Sequence, residues 1–237
     1  MRIGSAALAV IALISTAGLI PAKRAIAQNP QMIQKLEEVK QASAANKAAL
    51  AHYIWNEQQT ISLKGEVKKT TTYQVSIGPD GQQQKTELSA SQAPPPSGGR
   101  IKQRIVEKKK DEFQEYGQQI AALVKQYTPP DPQLLQQAYQ KGNVSLQMGG
   151  AAGTVSLVIK NYLKPGDSMT LVFNEAQKAM QSVQVASYLS DPSDAVTMSI
   201  QFAKLPSGVN HVDSVQVNGE SKQMTVAIQN SNYQLAQ

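Results

Sequence analysis

From Val144 onward, apolar and polar residues alternate almost without a break, and a period of two over so long a stretch calls for strands rather than helices. The candidate strands are Val144–Met148, Thr154–Leu163, Ser168–Phe173, Ser182–Leu189, Ala195–Leu205, Val212–Val217 and Gln223–Gln229. Turn chemistry separates them at Pro165-Gly166-Asp167, Asp191-Pro192-Ser193-Asp194, Pro206-Ser207-Gly208 and Asn218-Gly219, the last at two-residue hairpin spacing. Nearly every strand has one apolar face, such as Met169, Leu171 and Phe173, or Val196, Met198, Ile200 and Phe202. An antiparallel sheet covered on one side explains that pattern better than a parallel sheet buried on both.

The upstream half mixes both periods. Pro30 to Ala51 reads as an amphipathic helix opened by Asn29-Pro30. Tyr53, Trp55, Ile61 and Leu63 then alternate along a strand, Lys64-Gly65-Glu66 turns the chain, and Tyr73, Val75 and Ile77 return until Gly78-Pro79-Asp80-Gly81. Gln82 to Leu88 suits a short third strand, and residues 92–100, with Pro94-Pro95-Pro96 and Gly98-Gly99, suit an exposed loop. Ile101, Ile105, Phe113, Tyr116, Ile120, Leu123, Val124 and Tyr127 recur at helix spacing up to Pro129-Pro130, after which Asp131-Pro132 starts a short helix.

Arg2, the apolar stretch Ile3 to Ile20 and Ala25-Ile26-Ala27 have the form of a secretory leader cut before Gln28, which directs residues 28–237 to the periplasm or medium as one domain; an uncleaved anchor is the alternative. The chain has no cysteine, which removes disulfides, thiol nucleophiles and lipidation on an N-terminal cysteine. The formal charge of +6 loses three units with Arg2, Lys23 and Arg24, too little for a general nucleic-acid binder.

No catalytic constellation is recognisable. His52 and His211 belong to no metal-binding spacing. His211, Asp213 and Ser214 have the residue types of a hydrolase triad but crowd into one short segment. Gly149 to Gly153 lacks the lysine and helix of a phosphate loop. We therefore expect no enzyme, no cofactor and no metal. Lys102, Arg104, Lys108, Lys109 and Lys110 form a basic patch that suits an anionic membrane surface or an acidic envelope protein, or a solvated helix face offset by Glu107, Asp111 and Glu112.

The element order resembles the periplasmic lipoprotein-carrier superfamily, which includes outer-membrane lipoprotein-sorting proteins and mycobacterial lipid-binding lipoproteins. The likeness is one of pattern over nearly all of 28–237, best at Tyr53 to Thr70 and Gly219 to Tyr233. It implies an α+β fold in which a strongly curved antiparallel sheet forms a half-barrel, covered by the N-terminal helix and the central helical pair. It further implies an apolar cavity for a lipid or the acyl chain of a lipoprotein, with Tyr53, Trp55, Leu63, Tyr73, Val75, Leu171, Phe173, Met198 and Phe202 as its candidate lining. No basic residue here matches the one described as holding such carriers closed. For each of the nine, ordinary core packing is the competing role. For the whole protein the alternative is a structural or interaction module of the cell envelope, with no small ligand.

Overall fold

A computed structural model describes residues 41, 44–92, 100–128, 130–148 and 153–236, with the side chains of 100–107, 132 and 148 left aside. The leader 1–27, most of the Pro30–Ala51 helix, the proline segment 93–99 and Gly149 to Ala152 lie outside the described residues.

The described residues form ten strands and three helices. A helix over residues 44–50 (α1) leads to β1 (Tyr53–Leu63), β2 (Glu66–Ile77) and β3 (Gln83–Gln92). Then come α2 (Arg100–Tyr127), α3 (Pro132–Gln140), β4 (Val144–Met148), β5 (Thr154–Lys160), β6 (Ser168–Asn174), β7 (Ala179–Tyr188), β8 (Ala195–Lys204), β9 (Asn210–Gly219) and β10 (Met224–Leu235). All ten strands join one open sheet in the order β3-β2-β1-β10-β9-β8-β7-β6-β5-β4, antiparallel throughout. Two meanders therefore meet where the first strand pairs with the last, Tyr53 opposite Leu235 and Leu63 opposite Met224.

Local chemistry explains most of the boundaries. Lys64 (φ 53°) and Gly65 (φ 80°) both take positive φ, the pair of left-handed residues that a tight hairpin between right-twisted strands requires. Thr128 Oγ1 donates to the Val124 carbonyl in the last turn of α2, and Pro130 cannot extend the helix. Asp131 caps α3, its Oδ1 accepting from Gln133 N at 2.7 Å and Leu134 N at 3.4 Å.

Tyr116, Ile120, Leu123 and Tyr127 place a buried stripe on α2, and Ala138 adds a buried position on α3. They pack on Leu157, Ile159, Met169, Leu171, Val183, Val185, Val196, Met198, Ile200, Val217 and Met224, so β5 to β10 and the two helices share one core. Each large apolar side chain buried there contributes about 1.5–3 kcal/mol.

Three expectations need correction. Asn218-Gly219 is not a turn: both residues belong to β9, and the chain reverses through 220–223, with Gln223 at φ 49°. Gly219 is needed for packing instead, since a Cβ there would come within 2.6 Å of both Ile120 Cδ1 and the Tyr116 hydroxyl. The third strand runs on to Gln92, held by the ladder to β2 although every one of its residues is exposed. The strand from Thr154 stops at Lys160 because Asn161 turns left-handed (φ 52°) and opens a loop organised around Asp167.

Candidate ligand-binding face

Odd-numbered residues of β1 share one face, with Leu63 packed against the helix-covered core at one end and Trp55 and Tyr53 at the other. Register places Val75 beside Trp55, and Tyr73 and Asn230 on either side of Glu57. This end of the face differs from the helix-covered core because apolar and polar groups are buried together. Trp55, Val75, Glu57, Thr71 and Asn230 are each at most 8% exposed.

Aromatic rings build one wall. Trp55 stacks on Tyr233 with centroids 5.4 Å apart and planes 17° apart, and the His211 ring lies 4.2 Å from Tyr233 on a tilted contact. Tyr233 reaches Trp55 because Asn232 takes a left-handed φ of 54° where the β1–β10 register slips. The Tyr233 hydroxyl and Asn230 Nδ2 each donate to the Val212 carbonyl at 3.0 Å. Burial, reinforced by the negative charges of Asp213 and Glu57, pushes the Tyr233 phenol above its ordinary pKa.

The Glu57 carboxylate is compensated locally. Its Oε1 accepts from Lys85 Nζ at 2.5 Å and from Gln59 Nε2 at 2.6 Å, and Lys85 Nζ lies 5.9 Å from the Tyr73 ring centroid. Two polar atoms of this cluster have no hydrogen-bond partner among the described residues, the donor Trp55 Nε1 and the acceptor Asn230 Oδ1.

A groove of about 600 Å³ lies between α1 and the β2–β3 turn. Ala44, Ala48, Ala51, Ile77 and Pro79 make it mostly apolar, and Lys47 stands at its rim. Ile77 follows Val75 by two residues on β2, so the groove continues the face that carries Trp55. A second groove, of about 530 Å³, lies on the opposite sheet face across β8, β9, β10 and β1 and is lined largely by glutamine, serine and threonine.

The nine candidate cavity residues fall into separate groups. Trp55, Tyr73 and Val75 come together on the face just described. Leu171 and Met198 lie inside the helix-covered core, with Leu63 and Phe202 packed against it. Phe173 is buried opposite Val155 on β5, and Tyr53 donates to Ser207 Oγ at 2.9 Å. Neither groove is lined by any of the nine. In the basic patch Lys108, Lys109 and Lys110 are exposed, Glu112 meets Lys222 at 3.9 Å, and the side chains of Lys102 and Arg104 lie outside the described set.

His211, Asp213 and Ser214 do not assemble into a triad. His211 is buried against Tyr233, Asp213 Oδ1 accepts from Gln229, and Ser214 lines the groove on the opposite face. Among the described residues no three histidine or acidic side chains are grouped to hold a metal ion, and no helix is long and apolar enough to cross a membrane. Sequence reading missed Glu57, Lys85, Asn230 and Tyr233. The available signal was positions 57 and 59, where Glu and Gln interrupt the apolar face between Trp55 and Ile61.

No family model matches the chain, and no curated protein matches it. A solved structure of a DUF1329 family protein from Desulfovibrio piger ATCC 29098 is similar at a TM-score of 0.43 and 8% identity, covering 86% of this chain and 92% of that one. At that distance nothing is carried over from it.

Proposed function

We propose that the chain is an exported, non-catalytic binding protein of the periplasm or medium. Its open sheet serves as a half-barrel that holds a lipid or a lipoprotein acyl chain without a cofactor. The observation that carries this reading is the apolar groove between α1 and the end of β2, whose Ile77 lies on the same sheet face as the buried Val75 and Trp55 and outside the core filled by α2 and α3. About 600 Å³ matches small-molecule sites in size, and because the groove is open to solvent each ligand methylene lying in it contributes only part of the about 0.8 kcal/mol of a fully buried one. The likeness to lipoprotein carriers in element order supports the same ligand class.

Native mass spectrometry of the protein purified from its own compartment, followed by denaturation and lipid extraction, tests the proposal. A stoichiometric acyl compound is the expected result. A protein that arrives without ligand and stays so with added lipids refutes it. The second reading, an envelope interaction module, is favoured by one observation: β3 presents an edge of ten exposed residues, open to pairing with a partner strand.

A further inference from the structure

We infer that the Trp55–Asn230 cluster recognises an uncharged polar group, one that pairs a hydroxyl or amide donor with an acceptor oxygen, at the head of the acyl ligand. This rests on the acyl-binding reading and specifies its headgroup. Trp55 is 3% exposed and Asn230 8%, yet indole Nε1 and carboxamide Oδ1 have no hydrogen-bond partner among the described residues. A buried polar group left unpaired costs about 1–3 kcal/mol, so a fold that keeps two such groups in one buried cluster gains when the surrounding side chains part and a ligand's polar head pairs with them.

The two groups belong to one cluster. Trp55 stacks on Tyr233, whose hydroxyl shares the Val212 carbonyl with Asn230 Nδ2. That shared carbonyl also determines the orientation of the Asn230 amide, turning its nitrogen to Val212 and leaving its oxygen to accept.

Complementarity follows directly. Trp55 needs an acceptor and Asn230 a donor, and a hydroxyl or a primary amide offers both. Glu57 and Asp213 surround Tyr233 with negative charge, and Lys85 is already engaged by Glu57, so a carboxylate headgroup meets no free cation among these residues. At this cluster an uncharged acyl ester bearing free hydroxyls therefore fits where a carboxylate does not; the cation within reach of a free fatty acid is Lys47, among the groove residues.

Trp55 is the single tryptophan of the chain, so its indole N–H gives one resonance that reports on this site. Purified ¹⁵N-labelled protein is titrated with a 1-monoacylglycerol and with the fatty acid of equal chain length, alongside an Asn230→Leu variant. Tyr233 still donates to the Val212 carbonyl in that variant. The expected result is a shifted indole N–H with the monoacylglycerol, at least tenfold tighter binding of it than of the acid, and loss of that preference in Asn230→Leu.

Equal affinity for both lipids with an unmoved indole resonance overturns the headgroup inference and leaves acyl binding standing. Binding of neither lipid, with the indole N–H in contact with a bound water, overturns both. If Asn230→Leu proves unfolded by circular dichroism, the wild-type comparison of the two lipids decides alone.

Discussion

Asp167 is the most consequential buried charge in the fold, and replacing it with Asn tests how the β5–β6 loop ties both helices to the sheet. The carboxylate is 2% exposed. It accepts from Tyr162 N at 2.5 Å through Oδ1, and from the Tyr127 hydroxyl at 2.6 Å, Leu163 N at 2.9 Å and Lys164 N at 3.1 Å through Oδ2. Ser187 Oγ lies 2.8 Å from the same Tyr127 oxygen, and the Tyr162 hydroxyl accepts from Asp131 N, the cap of α3, at 2.6 Å. Asp167 thus holds the end of α2 directly, and Tyr127 and Tyr162 extend the network to β7 and to the start of α3.

Asp167→Asn preserves the shape but can offer an acceptor on only one side. The three donors facing Oδ2 would meet an NH₂ group, or the donor facing Oδ1 would if the amide flipped. Bonds to a charged group contribute about 1.5–3 kcal/mol each, so the flipped orientation, which keeps the three donors on its oxygen and loses only the Tyr162 N–H bond, costs about 1.5–3 kcal/mol. That is a sizeable part of the roughly 5–15 kcal/mol typical of a domain. Tyr127→Phe removes one of the same bonds and should cost about 2 kcal/mol, with the double variant costing less than the two added together. Urea unfolding followed by circular dichroism at pH 7 gives all three values. A cost below about 1 kcal/mol for Asp167→Asn would refute the assignment of this carboxylate as the tie.

Gly219→Ala should destabilise by about 1–3 kcal/mol, because its Cβ meets Ile120 and Tyr116, and Ile120→Val in the same chain should recover part of that loss in thermal melts. Burial raises the phenol pKa values of Tyr127 and Tyr233 above 10.0, so the folded state favours their protonated forms. The resulting stability is complete below about pH 10 and is lost as pH rises toward the folded values, by up to about 1.4 kcal/mol per pH unit for each phenol. A urea midpoint unchanged between pH 9 and 11 would contradict this. Lys85→Met strands the buried Glu57 carboxylate and should cost about 3 kcal/mol, whereas Lys85→Met with Glu57→Gln should cost clearly less; equal losses in chemical denaturation would show that the pair is not coupled.

Alternation and turn chemistry made the strands legible because both are local. Lys64-Gly65 can adopt the two positive φ values of its turn whatever surrounds it, and Asp131-Pro132 can start a helix from its own cap. Asn218-Gly219 misled for a physical reason. A glycine that frees the backbone and a glycine that makes room for a facing helix are the same letter, and here Tyr116 and Ile120, about a hundred positions upstream, decide between them. Periodicity likewise says nothing about partners. That Tyr53 to Leu63 lies against Met224 to Leu235 depends on closing almost the whole chain, and no local signal carries it.

The candidate site was partly hidden by the same non-local pairing. Trp55, Tyr73 and Val75 were legible as an apolar face, but Leu63 continues that face into the helix-covered core, so apolarity alone could not divide filled core from open groove. The division is made by polar residues brought in from elsewhere: Asn230 and Tyr233 from the last strand, Lys85 from the exposed third strand, and Asp213 from β9. Glu57 is the hinge of that arrangement. In an isolated strand it is a misplaced charge on an apolar face, but once β1 lies between β2 and β10 it has Lys85 as a counter-ion and Asn230 opposite it. A buried charge is costly unless paired, and the partner must come from β3, which buries nothing of its own. The ion pair therefore gives an otherwise exposed edge strand a tie to the face that carries Trp55, and loosening β3 should disturb that face before it disturbs the core beneath α2 and α3.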